Sequence, residues 1–75
     1  MREQIKEVIK KTFGISEVTE DISQKNCTKW DSMNHLNLIL ELESEFAISL
    51  EPEEISEIKT LDDIEKYVKI KIGVE

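Results

Sequence analysis

Three side chains that can take part in covalent or acid–base chemistry lie close together in the sequence: Cys27, Ser32 and His35. Ser32 follows Asp31, which is a favourable N-cap residue, so its hydroxyl is expected to lie exposed at the start of a helix. A phosphate ester on that hydroxyl is stabilised by the positive end of the helix dipole. The pair therefore suits a serine that carries a phosphodiester, although Asp-Ser at a helix start is also ordinary capping chemistry.

Other uses of these side chains are disfavoured. His35 shares a helical face with Ser32, but no third residue is evidently placed to orient its imidazole, so we do not expect a Ser-His nucleophile. We expect His35 to be a surface or partner-contact residue instead. Lys25 and Lys29 flank Cys27 and favour a thiolate, yet a small residue packed beneath a loop is the simpler interpretation. One cysteine cannot form an internal disulfide, and with one histidine it cannot build a structural zinc site, so we expect no metal.

The chain is short and acidic, with 75 residues and a formal net charge of −7. We expect one domain spanning residues 1–75, with little room for a catalytic cleft. The negative charge disfavours binding to nucleic acid and favours a basic protein partner. The start of the chain has no apolar signal segment, and no apolar run approaches the length of a membrane span, about 20 residues. We therefore expect a monomeric protein of the cytoplasm.

Apolar residues spaced by three and four, together with capping residues, predict a chain made of helices. Gly14 suits a left-handed C-cap, Pro52 suits the first position of a helix, and Thr60 begins a pattern like a capping box. The predicted helices cover about residues 3–13, 32–46, 52–57 and 61–70, with a short extended connection at residues 47–50. Residues 15–30 show no period and predict a long loop, with Ile15, Val18 and Ile22 held against the core.

The second predicted helix has more apolar residues than one core-facing stripe requires. One line of them consists of Leu38, Ile39, Leu42 and Phe46, and a second line consists of Met33, Leu36 and Leu40. The second line either widens the buried face or forms an exposed edge for partners and ligands. Glu41, Glu43 and Glu45 lie toward the negative end of the helix dipole. They are either needed there for recognition or are simply solvated surface charges.

These residues together resemble the phosphopantetheine attachment helix of the acyl carrier protein family. The resemblance begins with Asp31-Ser32-Met33 and continues through Leu36-x-Leu38-x-Leu40-x-Leu42-Glu43-x-Glu45-Phe46. Two further stretches resemble the family's third helix and the start of its fourth, namely Pro52-Glu53-Glu54-Ile55 and Thr60-Leu61-Asp62-Asp63-Ile64. The resemblance covers nearly the whole chain, and its specific part is residues 30–68.

The resemblance implies an all-α, four-helix bundle of acyl-carrier type with a short third helix and a long first loop. It implies that Ser32, flanked by the cap residue Asp31, accepts 4'-phosphopantetheine from coenzyme A, and that acyl or aminoacyl groups are held on the arm as thioesters. The protein itself would catalyse nothing. Its partners would be a phosphopantetheinyl transferase, a loading ligase and acyltransferase or synthase enzymes with basic docking surfaces. The partner-binding residues so implied are Met33, Leu36, Leu40, Glu41, Glu53 and Ile55.

The sequence departs from the family pattern around the serine. Lys29 stands where the family often has glycine, and Gln24 stands where an aromatic residue commonly anchors the loop, so we expect Trp30 to take over that anchoring. Asn34 and Asn37 replace residues that are often acidic in carriers of fatty-acid synthesis, which predicts a dedicated set of partners. Aspartate, serine and methionine in this order also occur in D-alanyl carriers. The alternative function is an acidic helical interaction module without a prosthetic group.

Overall fold

The computed structural model of the chain describes residues 1–73, and four α-helices account for most of them. The helices are α1 (Arg2–Phe13), α2 (Ser32–Phe46), α3 (Pro52–Glu57) and α4 (Leu61–Ile72). A long loop joins α1 to α2, and an isolated antiparallel bridge pairs its Ser23 with Thr60. The predicted all-α bundle with a short third helix and a long first loop is confirmed.

Local capping chemistry sets most of the helix ends where the sequence predicts them. Gly14 adopts the left-handed conformation (φ 67°) and its N–H donates to the Lys10 carbonyl. The Asp31 side chain accepts a hydrogen bond from the Asn34 N–H at the start of α2, as predicted. Thr60 acts in the same way at the start of α4. Because each of these bonds joins residues three or four apart, the sequence alone is enough to place them.

The end of α4 and the connection after α2 differ from the prediction. α4 continues to Ile72, beyond the predicted end near Ile70, because the left-handed cap that stops it is Gly73 (φ 80°). Residues 47–50 were expected to be extended throughout. Instead Ala47 caps α2 in the left-handed conformation (φ 54°), a conformation that residues other than glycine rarely adopt. The chain therefore turns sharply after Phe46 before it reaches α3.

The core lies between α1, α2 and α4, and buried residues of the connecting segments add to it. Val18 and Ile22 of the loop are buried, and Ile15 packs against the core while remaining half-buried, as the sequence predicts. The helices contribute most of the remaining buried side chains: Ile5, Val8, Ile9, Phe13, Leu38, Ile39, Leu42, Leu61, Ile64 and Val68. None of the helices within residues 1–73 is both long enough and apolar enough to cross a bilayer.

Charged contacts fasten the first helix to the loop and to α4. The Arg2 guanidinium donates to Glu20 at 2.9 Å and to Asp62 at 2.8 Å, and it also pairs with Glu65. Lys6 pairs with Glu20 as well. Hydrogen bonds from these two bases lower the pKa of Glu20, and the hydrogen bond from Arg2 lowers the pKa of Glu65. The loop that leads toward Ser32 is thus held against α1 through Glu20.

Candidate functional site

Ser32 is the first residue of α2, and its side chain is exposed. The turn around it is held at both ends. Asp31 Oδ1 accepts a hydrogen bond from the Asn34 N–H at 2.9 Å, and the Asn34 side-chain amide donates to the Lys29 carbonyl at 2.8 Å. Asp31 thus acts as the predicted cap, and it fixes the backbone from which the Ser32 hydroxyl projects.

An open groove runs beside the Ser32 hydroxyl. Six residues line it: Gln24, Trp30, Asp31, Ser32, His35 and Leu36. The first turn of α2 contains no acidic residue, and the N–H groups at a helix start have no partner within the helix. An anionic phosphodiester on Ser32 would therefore sit at the positive end of a 15-residue helix, next to a groove that can take the start of an arm. These residues fit 4'-phosphopantetheine.

Trp30 anchors the loop directly before the serine. Its side chain is only 4% exposed, and its ring packs at a tilt against Phe13, with 5.7 Å between the ring centroids. The indole Nε1–H donates to His35 Nδ1 at 3.0 Å. The prediction that Trp30 replaces the family's usual aromatic anchor is thus supported by its burial beside Ser32. Gln24, at the position of that usual anchor, is exposed instead.

His35 does not lie freely at the surface, so the surface position predicted for it was wrong, and its contact with partners stays a prediction. Its imidazole is half-buried, and Nε2 lies 2.9 Å from the carbonyl oxygen of Ile55 in α3. Because Nδ1 is bonded to Trp30, both ring nitrogens already have partners within the protein. Neither is left to take a proton from Ser32, and the geometry therefore argues against a Ser-His nucleophile. The bond to Ile55 spans 20 residues, so no local pattern could reveal it.

The second apolar line of α2 is an exposed edge. Met33, Leu36 and Leu40 are 74%, 59% and 63% exposed. They do not widen the buried face, which leaves the alternative of an edge for partners or ligands. Of the other residues predicted to bind partners, Glu41 and Glu53 are exposed, whereas Ile55 is half-buried and packs against the core.

Two further side chains turn out to be structural. The Glu43 carboxylate is half-buried and accepts a hydrogen bond from the Leu50 N–H at 2.8 Å, so it fixes the turn after α2. A recognition role is therefore left to Glu41 and Glu45, which are exposed.

Cys27 is half-buried and packs against the core, as the simpler interpretation of this cysteine predicts. Residues 1–73 contain no group of three or more metal-ligating side chains suited to an ion.

A capped, exposed serine at the start of a long helix, with an apolar edge running away from it, defines a small helical carrier domain. Comparison with known proteins specifies the class further. Residues 3–68 match the family model described as the phosphopantetheine attachment site. The chain therefore belongs to the acyl carrier protein family. It is a carrier and not an enzyme, and its prosthetic group is covalently attached 4'-phosphopantetheine.

Individual relatives agree with this assignment. The acyl carrier protein of Petrotoga mobilis is 32% identical over 97% of this chain and 88% of its own length. That of Thermotoga maritima is 29% identical over 93% of this chain and 89% of its own. Its crystal structure superimposes with a TM-score of 0.77 at 29% identity, covering 95% of this chain and 85% of that chain.

A solution structure provides a further match to the fold. It is that of the holo acyl carrier protein of Geobacter metallireducens, which superimposes with a TM-score of 0.87. The match covers 96% of this chain and 85% of that chain, at 24% identity. At that identity the likeness concerns the fold, and it shows that the predicted bundle is of the acyl-carrier type.

Proposed function

We propose that Ser32 is the residue to which the phosphopantetheine arm is attached, and that the arm carries acyl or aminoacyl intermediates to partner enzymes. The observation that carries this proposal is the exposed Ser32 hydroxyl at the start of α2, held by the Asp31 cap and open to a groove. The terminal thiol of the bound arm supplies the thioester chemistry. The chain's own residues supply a fixed attachment point with a favourable electrostatic environment for the phosphodiester.

Comparison with other serines of the chain supports Ser32. Ser44 is also exposed on α2, but it lies in the last turns of the helix between Glu43 and Glu45. A phosphodiester there would meet the negative end of the dipole and two carboxylates, which is unfavourable. Ser56 donates its hydroxyl hydrogen to the Glu53 carbonyl at 2.8 Å. Neither environment suits a phosphodiester as well as that of Ser32.

Partner enzymes are expected to dock beside the attachment point. The proposed docking face consists of Met33, Leu36, Leu40, Glu41, Glu53 and Ile55. Its apolar part is the exposed edge of α2, and its charged part is acidic, so it fits a partner that offers an apolar pocket with basic residues around it. Members of this family act with a phosphopantetheinyl transferase and with biosynthetic enzymes. We propose that a loading ligase and an acyltransferase or synthase use this same face.

The first half of α2 carries no acidic side chain and no lysine or arginine, which favours a dedicated set of partners. Asn34 donates to the Lys29 carbonyl, and the Asn37 side chain donates to Asn34 Oδ1 at 3.3 Å. Asn34 is half-buried and Asn37 is exposed, and both lie where an acidic residue would attract a basic partner. A partner that relies on basic groups close to Ser32 therefore gains little from this surface. The same arm chemistry serves an acyl and an aminoacyl group, and the loading enzyme decides between them.

An intact-mass measurement tests the attachment site. The protein is incubated with coenzyme A and a broad-specificity phosphopantetheinyl transferase, beside the variants Ser32→Ala and Ser44→Ala. We expect a gain of one phosphopantetheine in the wild type and in Ser44→Ala, and no gain in Ser32→Ala. Ser44→Ala is the matched control because it removes an exposed hydroxyl from the same helix. No gain in folded wild-type protein, or a gain that persists in Ser32→Ala, would refute the assignment.

The proposal also covers the location and the assembly state of the protein. The acidic composition and the sequence pattern favour a monomer in the cytoplasm, and we retain both as part of the proposal. The alternative of an interaction module without a prosthetic group is set aside, since the match to the phosphopantetheine attachment model covers residues 3–68. Size-exclusion chromatography with light scattering checks the monomer, and a stable dimer at micromolar concentration would contradict it.

A further inference from the structure

The imidazole of His35 joins three parts of the structure at the attachment site, and neither the carrier function nor the fold alone accounts for it. Nδ1 lies 3.0 Å from Trp30 Nε1 in the loop, and Nε2 lies 2.9 Å from the Ile55 carbonyl oxygen in α3. The ring is stacked near the indole, with 6.3 Å between the ring centroids. His35 itself belongs to the first turns of α2. The side chain therefore spans from the residue before Asp31 to the neighbouring helix.

The two partners fix which nitrogen holds the proton. The indole N–H of Trp30 can only donate, so Nδ1 must accept. The carbonyl of Ile55 can only accept, so Nε2 must carry the hydrogen. A third group agrees, since the side-chain amide nitrogen of Gln24 lies 3.4 Å from Nδ1 and can donate to it. The geometry therefore requires a neutral imidazole in the Nε2–H tautomer.

The helix at one end of this bridge is held by contacts outside itself, among them the buried side chains of Leu50 and Ile58 on either side of it. α3 has only six residues, and none of them is fully buried. A helix of one or two turns is not stable by itself. α3 relies on contacts such as the half-buried side chain of Ile55 and the ion pair between Glu54 and Lys71 at 2.9 Å. A hydrogen bond from α2 to its backbone adds to the contacts that hold α3 in place.

We propose that His35 is a positioning residue of the attachment site. As a neutral Nε2–H tautomer it bridges the Trp30 anchor to α3, and it thereby holds Ser32 and the residues of α3 on the docking face in one arrangement before a partner arrives. The functional part of this inference rests on the proposed role of Ser32. The bridge itself does not, because it is defined by the contacts of Trp30, His35 and Ile55 alone.

Nitrogen-15 NMR of the imidazole reads the bridge directly. At about pH 8, where imidazole is neutral, we expect the spectrum of wild-type protein to show Nε2 protonated and Nδ1 unprotonated, with no averaging between tautomers. The indole N–H of Trp30 is expected to exchange slowly with solvent because it is buried and hydrogen-bonded. The Nδ1–H tautomer, or the averaged shifts of a free histidine, would overturn the proposal.

Two variants each keep one half of the bridge. In His35→Asn the side-chain oxygen takes approximately the place of Nδ1, so the Trp30 bond is kept and the Ile55 bond is lost. In His35→Gln the amide nitrogen takes approximately the place of Nε2, so the Ile55 bond is kept and the Trp30 bond is lost. We expect the indole N–H of Trp30 to remain slow to exchange in His35→Asn and to exchange faster in His35→Gln. His35→Ala removes both hydrogen bonds.

Kinetics of phosphopantetheine transfer then test the positioning role, with each variant measured below its melting temperature. Each half-bridge variant is expected to raise the KM for the carrier about fivefold, which corresponds to about 1 kcal/mol at 1.4 kcal/mol per tenfold. The reason is that the arrangement of α2 and α3 that the bridge holds in the wild type must be ordered during binding in the variant. The kcat is expected to change by less than about twofold. His35→Ala is expected to raise KM further than either half-bridge variant does.

Wild-type KM values in all three folded variants would show that His35 only stabilises the fold, and the positioning role would be refuted. The two proposals fail in different ways. If the wild type gains no mass with the transferase, the assignment of Ser32 is refuted, and the imidazole spectrum still decides whether the bridge exists. If the wild type is modified but its spectrum shows the other tautomer, the carrier function stands and the bridge is refuted.

Discussion

Leu36 and Leu42 lie on different faces of α2, so truncating each to alanine removes the same atoms from an exposed edge and from the core. Leu42 is 0% exposed and Leu36 is 59% exposed. If the exposed line serves partners, Leu36→Ala should impair docking while leaving the fold nearly intact. Leu42→Ala should do the reverse, because it opens a cavity between α2 and its neighbours.

The expected magnitudes follow from these exposures. A fully buried leucine costs about 2–5 kcal/mol when it is truncated to alanine, and we take about 3 kcal/mol for Leu42. Less than half of Leu36 is covered, and full burial of leucine contributes about 1.5–3 kcal/mol, so its truncation should cost below about 1 kcal/mol. At about 4–8 °C per kcal/mol for a domain of this size, Leu42→Ala should lower Tm by about 12–24 °C and Leu36→Ala by less than about 8 °C.

Fluorescence of Trp30 provides the assay, because this indole is the only one in the chain and is buried in the folded state. Thermal melts give the Tm values, and the transferase reaction gives kcat/KM for the carrier. We expect Leu36→Ala to lose at least about fivefold in kcat/KM, as truncation of an apolar interface anchor does. Equal losses of Tm in the two variants, or a wild-type kcat/KM in Leu36→Ala, would refute the assignment of the two faces.

Two further predictions concern charge. The lowered pKa values of Glu20 and Glu65 stabilise the fold above the ordinary carboxyl value of 4.5, and this stabilisation is lost as pH falls through the lowered values. The Tm gap between wild type and Arg2→Ala, which is positive at neutral pH, should therefore shrink at about pH 3; a constant gap would contradict it. Glu41→Gln should slow association with a basic partner enzyme in stopped-flow measurements at low salt. The difference should fade near 1 M salt, where the Debye length falls to about 3 Å, and a rate that does not depend on salt would refute electrostatic steering.

The parts of the fold that the sequence predicts are those set by contacts within one turn. The caps at Gly14, Asp31 and Thr60 each act on residues three or four positions away, and all three helix ends lie where they were predicted. The end of α4 was placed too early near Ile70, although a glycine further on was available as a stop signal. That glycine is Gly73, which caps α4 in the left-handed conformation.

Contacts between distant segments were beyond the reach of sequence patterns. The bond from His35 to Ile55 spans 20 residues, and the pair of Arg2 with Glu65 spans 63. Helical periodicity separates the two apolar lines of α2, but it does not say which line its neighbours cover. The position of α1 against α2 decides that, and it leaves Leu36 outside. The candidate serine was predictable because its chemistry and its cap are adjacent in the sequence.

The two methionines of the chain, Met1 and Met33, are both exposed. Oxidation of a methionine sulfur to the sulfoxide turns a flexible apolar side chain into a polar one. In this protein such damage spares the core, which contains no methionine, and reaches a side chain directly beside Ser32. An oxidised sample would melt normally and look intact in a folding assay, while the proposed docking face would have changed. Reversal by methionine sulfoxide reductase would be equally accessible, since the sulfur of Met33 lies in solvent.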